Sequence, residues 1–249
     1  MAENQLNKVA AITFAFWVMK ICATTLGETA GDLLSMTLNV GYAASSLILI
    51  AIFLATLVGQ LTAKSYHPLL YWSVILSTST AGTTMSDYID RSLGMGYVAG
   101  SAMLLTLLLI ILAVWRANVG TLSVANVKSL KVESFYWAAI LVSNTLGTAL
   151  GDFLADSSGL GFAGGALLIA SLIALIVLAY FFTSVSRTAL FWIAFVLTRP
   201  LGATVGDLLT KPLEKGGLGF GTIGSSAVLL AVLIVSIIIV SRRKAPAAT

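Results

Sequence analysis

The sequence is short of the residues on which disulfide frameworks, zinc sites and soluble surfaces depend. Its 249 residues include one cysteine and one histidine, which excludes a disulfide framework, a cysteine zinc site and the histidine zinc motifs. Charged residues make up 10% and hydrophobic residues 58%, whereas soluble domains carry about 25% and about 45–50%. The mean hydropathy is +1.00. These values indicate a helical membrane protein.

Charge of either sign is scarce, and the small excess is basic. The chain has 14 lysines and arginines against 10 aspartates and glutamates, a formal net charge of +4. This excess is too small for a nucleic-acid-binding surface. We therefore expect no nucleic-acid partner, and the lipid bilayer as the main surroundings of the chain.

Long apolar runs divide the chain into membrane spans. A spanning helix needs about 20 mainly apolar residues. Eight runs meet this requirement, near 9–33, 43–63, 69–91, 97–116, 134–156, 162–183, 188–211 and 221–241. We predict an all-α membrane protein, with residues 1–249 forming a single transmembrane domain of eight transmembrane helices.

The distribution of lysine and arginine predicts the orientation of these spans. Eight spans place both termini on one side, which also holds Lys8, Lys64, Arg116, Lys128, Lys131, Arg187, Arg242, Arg243 and Lys244. The other side holds Arg91, Lys211 and Lys215. By the positive-inside rule, both termini are cytoplasmic.

One pattern recurs four times along the chain. A tryptophan lies 15 residues before an aspartate in the pairs Trp17/Asp32, Trp72/Asp87, Trp137/Asp152 and Trp192/Asp207. These pairs predict four two-helix repeats, at about 9–63, 69–116, 134–183 and 188–241. Each repeat has an even number of spans, so all four have the same orientation across the membrane. We expect either a pseudo-fourfold ring or two pairs of repeats.

Three further features of each repeat have structural interpretations. The tryptophans are interpreted as anchors at the membrane interface. Small residues four apart predict close helix packing; they are Gly27/Gly31, Gly82/Ser86, Gly147/Gly151 and Gly202/Gly206. A glycine before an aromatic residue predicts a turn with positive φ; the pairs are Gly41-Tyr42, Gly96-Tyr97, Gly161-Phe162 and Gly219-Phe220.

Acidic residues inside spans are costly, and they are usually paired, hydrated or functional. The candidate metal ligands are the four motif aspartates and one glutamate: Asp32, Asp87, Asp152, Asp207 and Glu28. Neighbouring polar side chains that could support them are Thr83, Thr148, Asp90 and Asp156. Carboxylate and hydroxyl oxygens suit hard cations such as Mg²⁺ and Mn²⁺. Converging carboxylates also need a compensating charge, which a metal ion, a proton or an internal cation supplies.

Two cationic residues lie inside predicted spans, and each has two possible roles. Arg199 precedes Pro200, and it either neutralises the acidic cluster or forms a plain structural ion pair. Lys20 either extends to the cytoplasmic interface or serves as an internal counter-ion. In the structural alternative the aspartates cap helix ends, or they join the repeats by pairing with Arg91, Arg199 and Lys211.

The repeated segments resemble a family of bacterial integral membrane proteins with an LGxTxGD element. The segments are LGETAGDLLS (26–35), AGTTMSDYID (81–90), LGTALGDFLA (146–155) and LGATVGDLLT (201–210), together with an FWxxK opening at 16–20. The resemblance covers most of the chain. It implies a bacterial inner-membrane location, and it implies no activity or substrate.

The function that these residues favour is transport of a small cation. We expect a divalent metal, Mn²⁺ or Mg²⁺, as substrate, and coupling to protons carried by Glu28 and one aspartate is an extension of this hypothesis. No cofactor is required. The alternatives are a structural or sensory membrane protein and, less favoured, an intramembrane enzyme. The GxGD protease signature is not met, because Thr29, Ala149 and Thr204 replace its first glycine. The small-residue faces also allow a homodimer.

Overall fold

The computed structural model describes residues 8–244, and this part of the chain forms eight α-helices and no strand. The helices are α1 (Phe14–Asp32), α2 (Tyr42–Thr62), α3 (Pro68–Asp87), α4 (Gly96–Val119), α5 (Leu130–Asp152), α6 (Gly161–Phe182), α7 (Arg187–Thr210) and α8 (Thr222–Lys244). The first helix begins later than the predicted run near residue 9. The helix begins at Phe14 because Thr13 caps its N-terminus, where Thr13 Oγ1 accepts a hydrogen bond from the amide of Phe16 at 3.3 Å.

The odd-numbered helices form a closed inner ring. Helix α1 packs against α3, α3 against α5, α5 against α7, and α7 against α1. Glycines lie at all four seams of the ring, which are the contacts between neighbouring inner helices. A Cβ atom at these positions would collide with the next inner helix. The contacts are Gly27 with Ser79, Gly82 with Asn144, Gly147 with Arg199 and Gly202 with Thr24. The prediction that the small-residue pairs serve close helix packing is therefore confirmed.

The even-numbered helices form an outer layer that joins neighbouring repeats. Each packs mainly against the inner helix of the following repeat, α2 on α3, α4 on α5 and α6 on α7. Helix α8 packs on α1 and so completes the circle. The two helices of one repeat are therefore not a self-contained hairpin, because each repeat is held by its neighbours.

Six helices are long and apolar enough to cross a membrane. They lie at Tyr42–Thr62, Gly96–Val119, Leu130–Ser157, Gly161–Phe182, Arg187–Thr210 and Thr222–Arg242. The outer helices expose large apolar side chains such as Leu47, Val98 and Leu167. This arrangement indicates a multi-pass membrane protein. Helices α1 and α3 are more polar, since α1 carries three charged residues and α3 is rich in serine and threonine.

The segments that join each inner helix to its outer helix share features of backbone conformation across the repeats. Three inner helices continue into a π-helical turn, at Leu33–Thr37, Tyr88–Ser92 and Phe153–Ser157. A glycine with positive φ then begins the approach to the outer helix; the glycines are Gly41 (81°), Gly96 (71°), Gly161 (67°) and Gly219 (71°). The prediction from the Gly-aromatic pairs is confirmed.

The repeated tryptophans lie inside the bundle. Trp72, Trp137 and Trp192 are buried at the N-terminal end of the inner helices. Trp137 contacts the ring of Tyr71 at 5.6 Å between centroids, and Trp192 contacts Trp115 at 5.6 Å. The prediction of an interfacial anchor is wrong for these three residues, because the outer helices enclose the inner ring.

Candidate cation site

The inner ring stacks its axis-facing side chains in layers, one residue from each inner helix. Successive layers are four residues apart, or about 6 Å along the helices. From the tryptophan end the layers are Phe16, Tyr71, Tyr136 and Phe191; Lys20, Ile75, Ile140 and Phe195; Thr24, Ser79, Asn144 and Arg199; Glu28, Thr83, Thr148 and Ala203; and Asp32, Asp87, Asp152 and Asp207. All twenty side chains are buried.

Contacts between diagonal helices show that these side chains meet on the axis. Lys20 on α1 donates a hydrogen bond to Asn144 on α5 at 3.2 Å. Arg199 on α7 donates to the hydroxyl of Thr83 on α3. Neither of these two pairs is among the helix pairs that pack closely side by side. The three layers nearest the aspartate end therefore form a polar column in the middle of the ring, and Lys20 lies at its lower end in a layer that is otherwise apolar.

Two cations, each four residues after a motif aspartate, bridge the aspartate layer. Lys211 Nζ lies 3.0 Å from Asp207 Oδ1 on its own repeat and 2.6 Å from Asp32 Oδ2 on the first repeat. Arg91 lies 2.9 Å from Asp87 Oδ1 and 3.0 Å from Asp152 Oδ2. The aspartate layer is thus divided into two halves, each with two carboxylates and one cation.

Below the aspartate layer, Glu28 pairs with Arg199, which belongs to the next layer down. Arg199 Nη2 lies 2.8 Å from Glu28 Oε2 and 2.6 Å from Thr148 Oγ1. Its Nη1 donates to the backbone carbonyl of Thr24 at 3.2 Å. Arg199 thus binds the first repeat and the two threonines Thr83 and Thr148 at once, because a guanidinium has several hydrogen-bond donors.

The site keeps an excess of negative charge. Five buried carboxylates, one glutamate and four aspartates, meet three cations, which leaves two formal negative charges when all are ionised. Glu28, Asp32 and Asp207 each offer one oxygen, and these oxygens lie within 4.8 Å of one another. Oxygen ligands at about 2.0–2.6 Å from one divalent cation have separations in this range.

Both bridging cations are partly accessible, which places an opening at the aspartate end. The side chains of Arg91 and Lys211 are 31% and 22% exposed. The opposite end is closed, because Phe16, Tyr71 and Tyr136 pack there and the two tyrosine hydroxyls lie 2.7 Å apart.

Two predicted supporting residues lie outside the column. Asp90 accepts a hydrogen bond from Ser86 at 3.2 Å and packs against Gly100 of α4, so its carboxylate does not reach the axis. The π-helical turn at Tyr88–Ser92 changes its angular position on the helix. Asp156 lies at the exposed rim, where Tyr97 donates to it at 3.0 Å.

The structure excludes one of the two interpretations of Lys20. Its side chain is fully buried, with Nζ 4.2 Å from the centroid of the Phe195 ring. The interpretation that Lys20 extends to the cytoplasmic interface is wrong, because the axis-facing side of α1 is enclosed by the other inner helices.

One layer, formed by Thr24, Ser79, Asn144 and Arg199, was not recognised as a layer from the sequence. Its members were apparent only as separate polar residues near the acids. The signal was present nonetheless, because all four residues lie eight positions before a motif aspartate. Each also contacts the first glycine of the preceding inner helix around the ring, so a residue there needs space that only glycine leaves.

These features define a class of protein: an all-helical, four-repeat protein with six helices long and apolar enough to cross a membrane, a closed inner ring and a charged column on its axis. The chain belongs to the family described as Repeat of Unknown Function (DUF347), whose model matches residues 15–66, 70–121, 135–186 and 190–245. The four matches confirm the tandem repeats and the family resemblance inferred from the sequence. No curated protein and no solved structure matched the chain.

Proposed function

We propose that this protein is an eight-span transporter of a small cation in the bacterial inner membrane, with both termini cytoplasmic. Mn²⁺ and Mg²⁺ are the substrates that the donor set favours, because every ligand is a hard oxygen. Glu28, Asp32 and Asp207 bind the ion. The observation that carries the proposal is the cluster of these three carboxylates, two of which, Asp32 and Asp207, bind the Lys211 ammonium.

The geometry of the inner ring supports the proposal of eight spans. Helices α1 and α3 lie in the same ring as α5 and α7, which are apolar enough to span. Four helices that share one ring cross the same thickness. The polar residues of α1 and α3 face the protein interior, where intramembrane polar groups are tolerated.

Lys211 acts in this proposal as a tethered substitute for the transported ion. Its ammonium lies between Asp32 and Asp207 at 2.6 and 3.0 Å. An arriving divalent cation displaces it, and the lysine moves outward, since it lies at the partly accessible rim. When the ion leaves, the ammonium returns and prevents the carboxylates from repelling one another.

The second half of the aspartate layer, formed by Asp87 and Asp152, has a structural role in this proposal. Arg91 contacts Asp87 and Asp152 through a guanidinium, which stays charged and binds carboxylates in a fixed geometry. This half also has threonine where the first half has Glu28, so it offers one carboxylate fewer. Ion binding is therefore asymmetric within a nearly fourfold ring.

Removing the Lys211 ammonium should strengthen metal binding. We expect Lys211→Met to lose thermal stability without metal and to gain more stability than wild type when Mn²⁺ or Mg²⁺ is added. The physical reason is that the metal no longer competes with a lysine for Asp32 and Asp207. For wild type, a ligand at about 100 times its Kd adds about 2.7 kcal/mol. The measurement is thermal unfolding of detergent-purified protein over a metal series.

The controls separate binding from packing. Asp207→Asn should abolish the metal response, whereas Asp156→Asn at the exposed rim should keep it. A Lys211→Met protein that is destabilised, and that no metal restores, would favour the structural alternative. In that alternative the ion pairs only hold the repeats together, as the pairing of every acid in the aspartate layer also allows.

The proposed topology has its own test. Reporter fusions should place both termini and the loops at 63–67, 120–129 and 183–186 in the cytoplasm, because these segments join outer helices to the next inner helix. Fusions after Leu38, Leu93 and Leu218 should report the periplasm. A cytoplasmic signal at any of these three positions would contradict eight spans.

A further inference from the structure

Lys20 occupies an unusual position in the polar column. It lies two layers below Glu28, about 12 Å along α1, and its side chain is fully buried. In the described part of the chain its ammonium has one hydrogen-bond acceptor, Asn144 Oδ1 at 3.2 Å. It forms no ion pair with any carboxylate of residues 8–244. The remaining residues of its layer, Ile75, Ile140 and Phe195, are apolar.

The groups around Lys20 provide no free negative charge. From α7, Arg199 lies one layer above it and adds positive charge. From α3 and α5, Tyr71 and Tyr136 lie one layer below and bond to each other. On α1 itself, Glu28 is already paired with Arg199 at 2.8 Å.

The side towards α8 is equally free of acid. Cys22 of α1 faces this helix, with its Sγ 3.4 Å from the carbonyl of Leu229. The charged residues of α8 within the described chain lie at its C-terminal end, beginning at Arg242. No element packed against Lys20 therefore offers a carboxylate partner.

A permanently charged lysine has only two weak partners in this position, the Asn144 amide oxygen and the face of the Phe195 ring. Burying an ammonium without a paired carboxylate is costly, and an apolar side chain such as methionine would fill the same space without that cost. A lysine that can lose its proton avoids the cost in one state and carries a positive charge in another. The position therefore suits a group that changes its protonation during a cycle.

We propose that Lys20 carries a coupling proton, so that the protein exchanges a divalent cation for a proton. This inference rests on the proposed transport function and names the group that couples it. In the protonation step the Nζ lone pair forms an N–H bond while a hydronium ion gives up that proton and becomes water. The reverse step returns the proton to water.

The coupling has an electrostatic cause. A divalent cation at Glu28, Asp32 and Asp207 adds positive charge above Lys20 in a poorly screened interior, where charges interact over long distances. The bound ion therefore disfavours a charged Lys20. After the ion leaves, the excess carboxylate charge favours protonation. Ion and proton thus occupy the column alternately, which is the condition for exchange.

The test uses the full chain in proteoliposomes with Mn²⁺ as the probe and a pH-sensitive dye in the lumen. In wild type, Mn²⁺ movement should drive protons the opposite way. Lys20→Met should retain stabilisation by Mn²⁺ and exchange of Mn²⁺ for Mn²⁺, but its proton flux should fall to that of protein-free vesicles. Lys64→Met, which removes an exposed loop lysine, should behave as wild type.

A second variant covers the case in which Lys20→Met does not fold. Asn144→Leu removes the acceptor that the Lys20 ammonium has among residues 8–244 and leaves the lysine in place. Because that hydrogen bond stabilises the charged form, the pH dependence of Mn²⁺–proton exchange should move to lower pH. An unchanged pH profile would overturn the proposal.

The outcomes separate this inference from the function on which it rests. Mn²⁺ binding and transport with an undiminished proton flux in Lys20→Met would overturn the role of Lys20 and leave the cation site standing. A wild type that neither binds nor moves Mn²⁺, Mg²⁺ or another divalent cation would remove the proposed function itself, and the role of Lys20 with it.

Discussion

Replacing Arg199 by methionine should lower the free energy of unfolding by about 3–5 kcal/mol, the range for breaking one side of a buried ion pair. The guanidinium is fully buried, and it binds Glu28, Thr83 and Thr148 together with two backbone carbonyls. Its loss leaves the Glu28 carboxylate buried without a cation. The measurement is thermal and denaturant unfolding of the purified protein in detergent.

A second substitution shows whether the lost charge pair is the cause. Glu28→Gln in the same chain removes the orphaned carboxylate, so the double variant should recover a large part of the lost stability. Lys215→Met is the matched control, because Lys215 is exposed and has no acidic partner at 4.0 Å or less among residues 8–244. A double variant no more stable than Arg199→Met would show that packing, not charge, is responsible.

Replacing Gly202 by alanine should open the seam that closes the ring. A Cβ atom there would lie 2.5 Å from Thr24 Oγ1 and 2.7 Å from the Thr24 carbonyl carbon. Because the second atom belongs to the backbone, α7 and α1 have to move apart. Overpacking of this kind costs about 1–3 kcal/mol, which a shift of the thermal unfolding midpoint would detect.

The matched control lies on an outer helix. Gly224 of α8 has no atom within 4 Å of the position of an added Cβ. Alanine there should raise stability by about 0.5–1 kcal/mol, because glycine is unfavourable inside a helix. Equal effects of Gly202→Ala and Gly224→Ala would mean that the α1–α7 seam is not tightly packed, and the closed ring would have to be abandoned.

Short-range periodicity was sufficient to predict several features of this protein. The spacing of tryptophan, glycine and aspartate predicted four repeats, and the pairs of small residues predicted the seams of the inner ring. The glycines before Tyr42, Tyr97 and Phe162 predicted turns with positive φ. Each of these depends on steric properties that one residue or one helical face carries by itself.

Which residues form ion pairs with one another depended on the tertiary structure. The four-residue spacing placed Lys211 beside Asp207, but only the closed ring brings it to Asp32 of the first repeat. In the same way Arg91 reaches Asp152 of the third repeat. The packing of each outer helix on the next repeat, and of α8 on α1, has no counterpart in the local pattern.

The predictions that proved wrong have one physical cause. The tryptophans and Lys20 were interpreted from the properties of a single helix in a bilayer, where such side chains move towards the interface. Enclosure by neighbouring helices instead buries Trp72, Trp137 and Lys20. The sequence by itself determined the repeats and the chemistry of each position. The ring decided which positions face one another and which lose contact with water, because these depend on contacts between residues far apart in the chain.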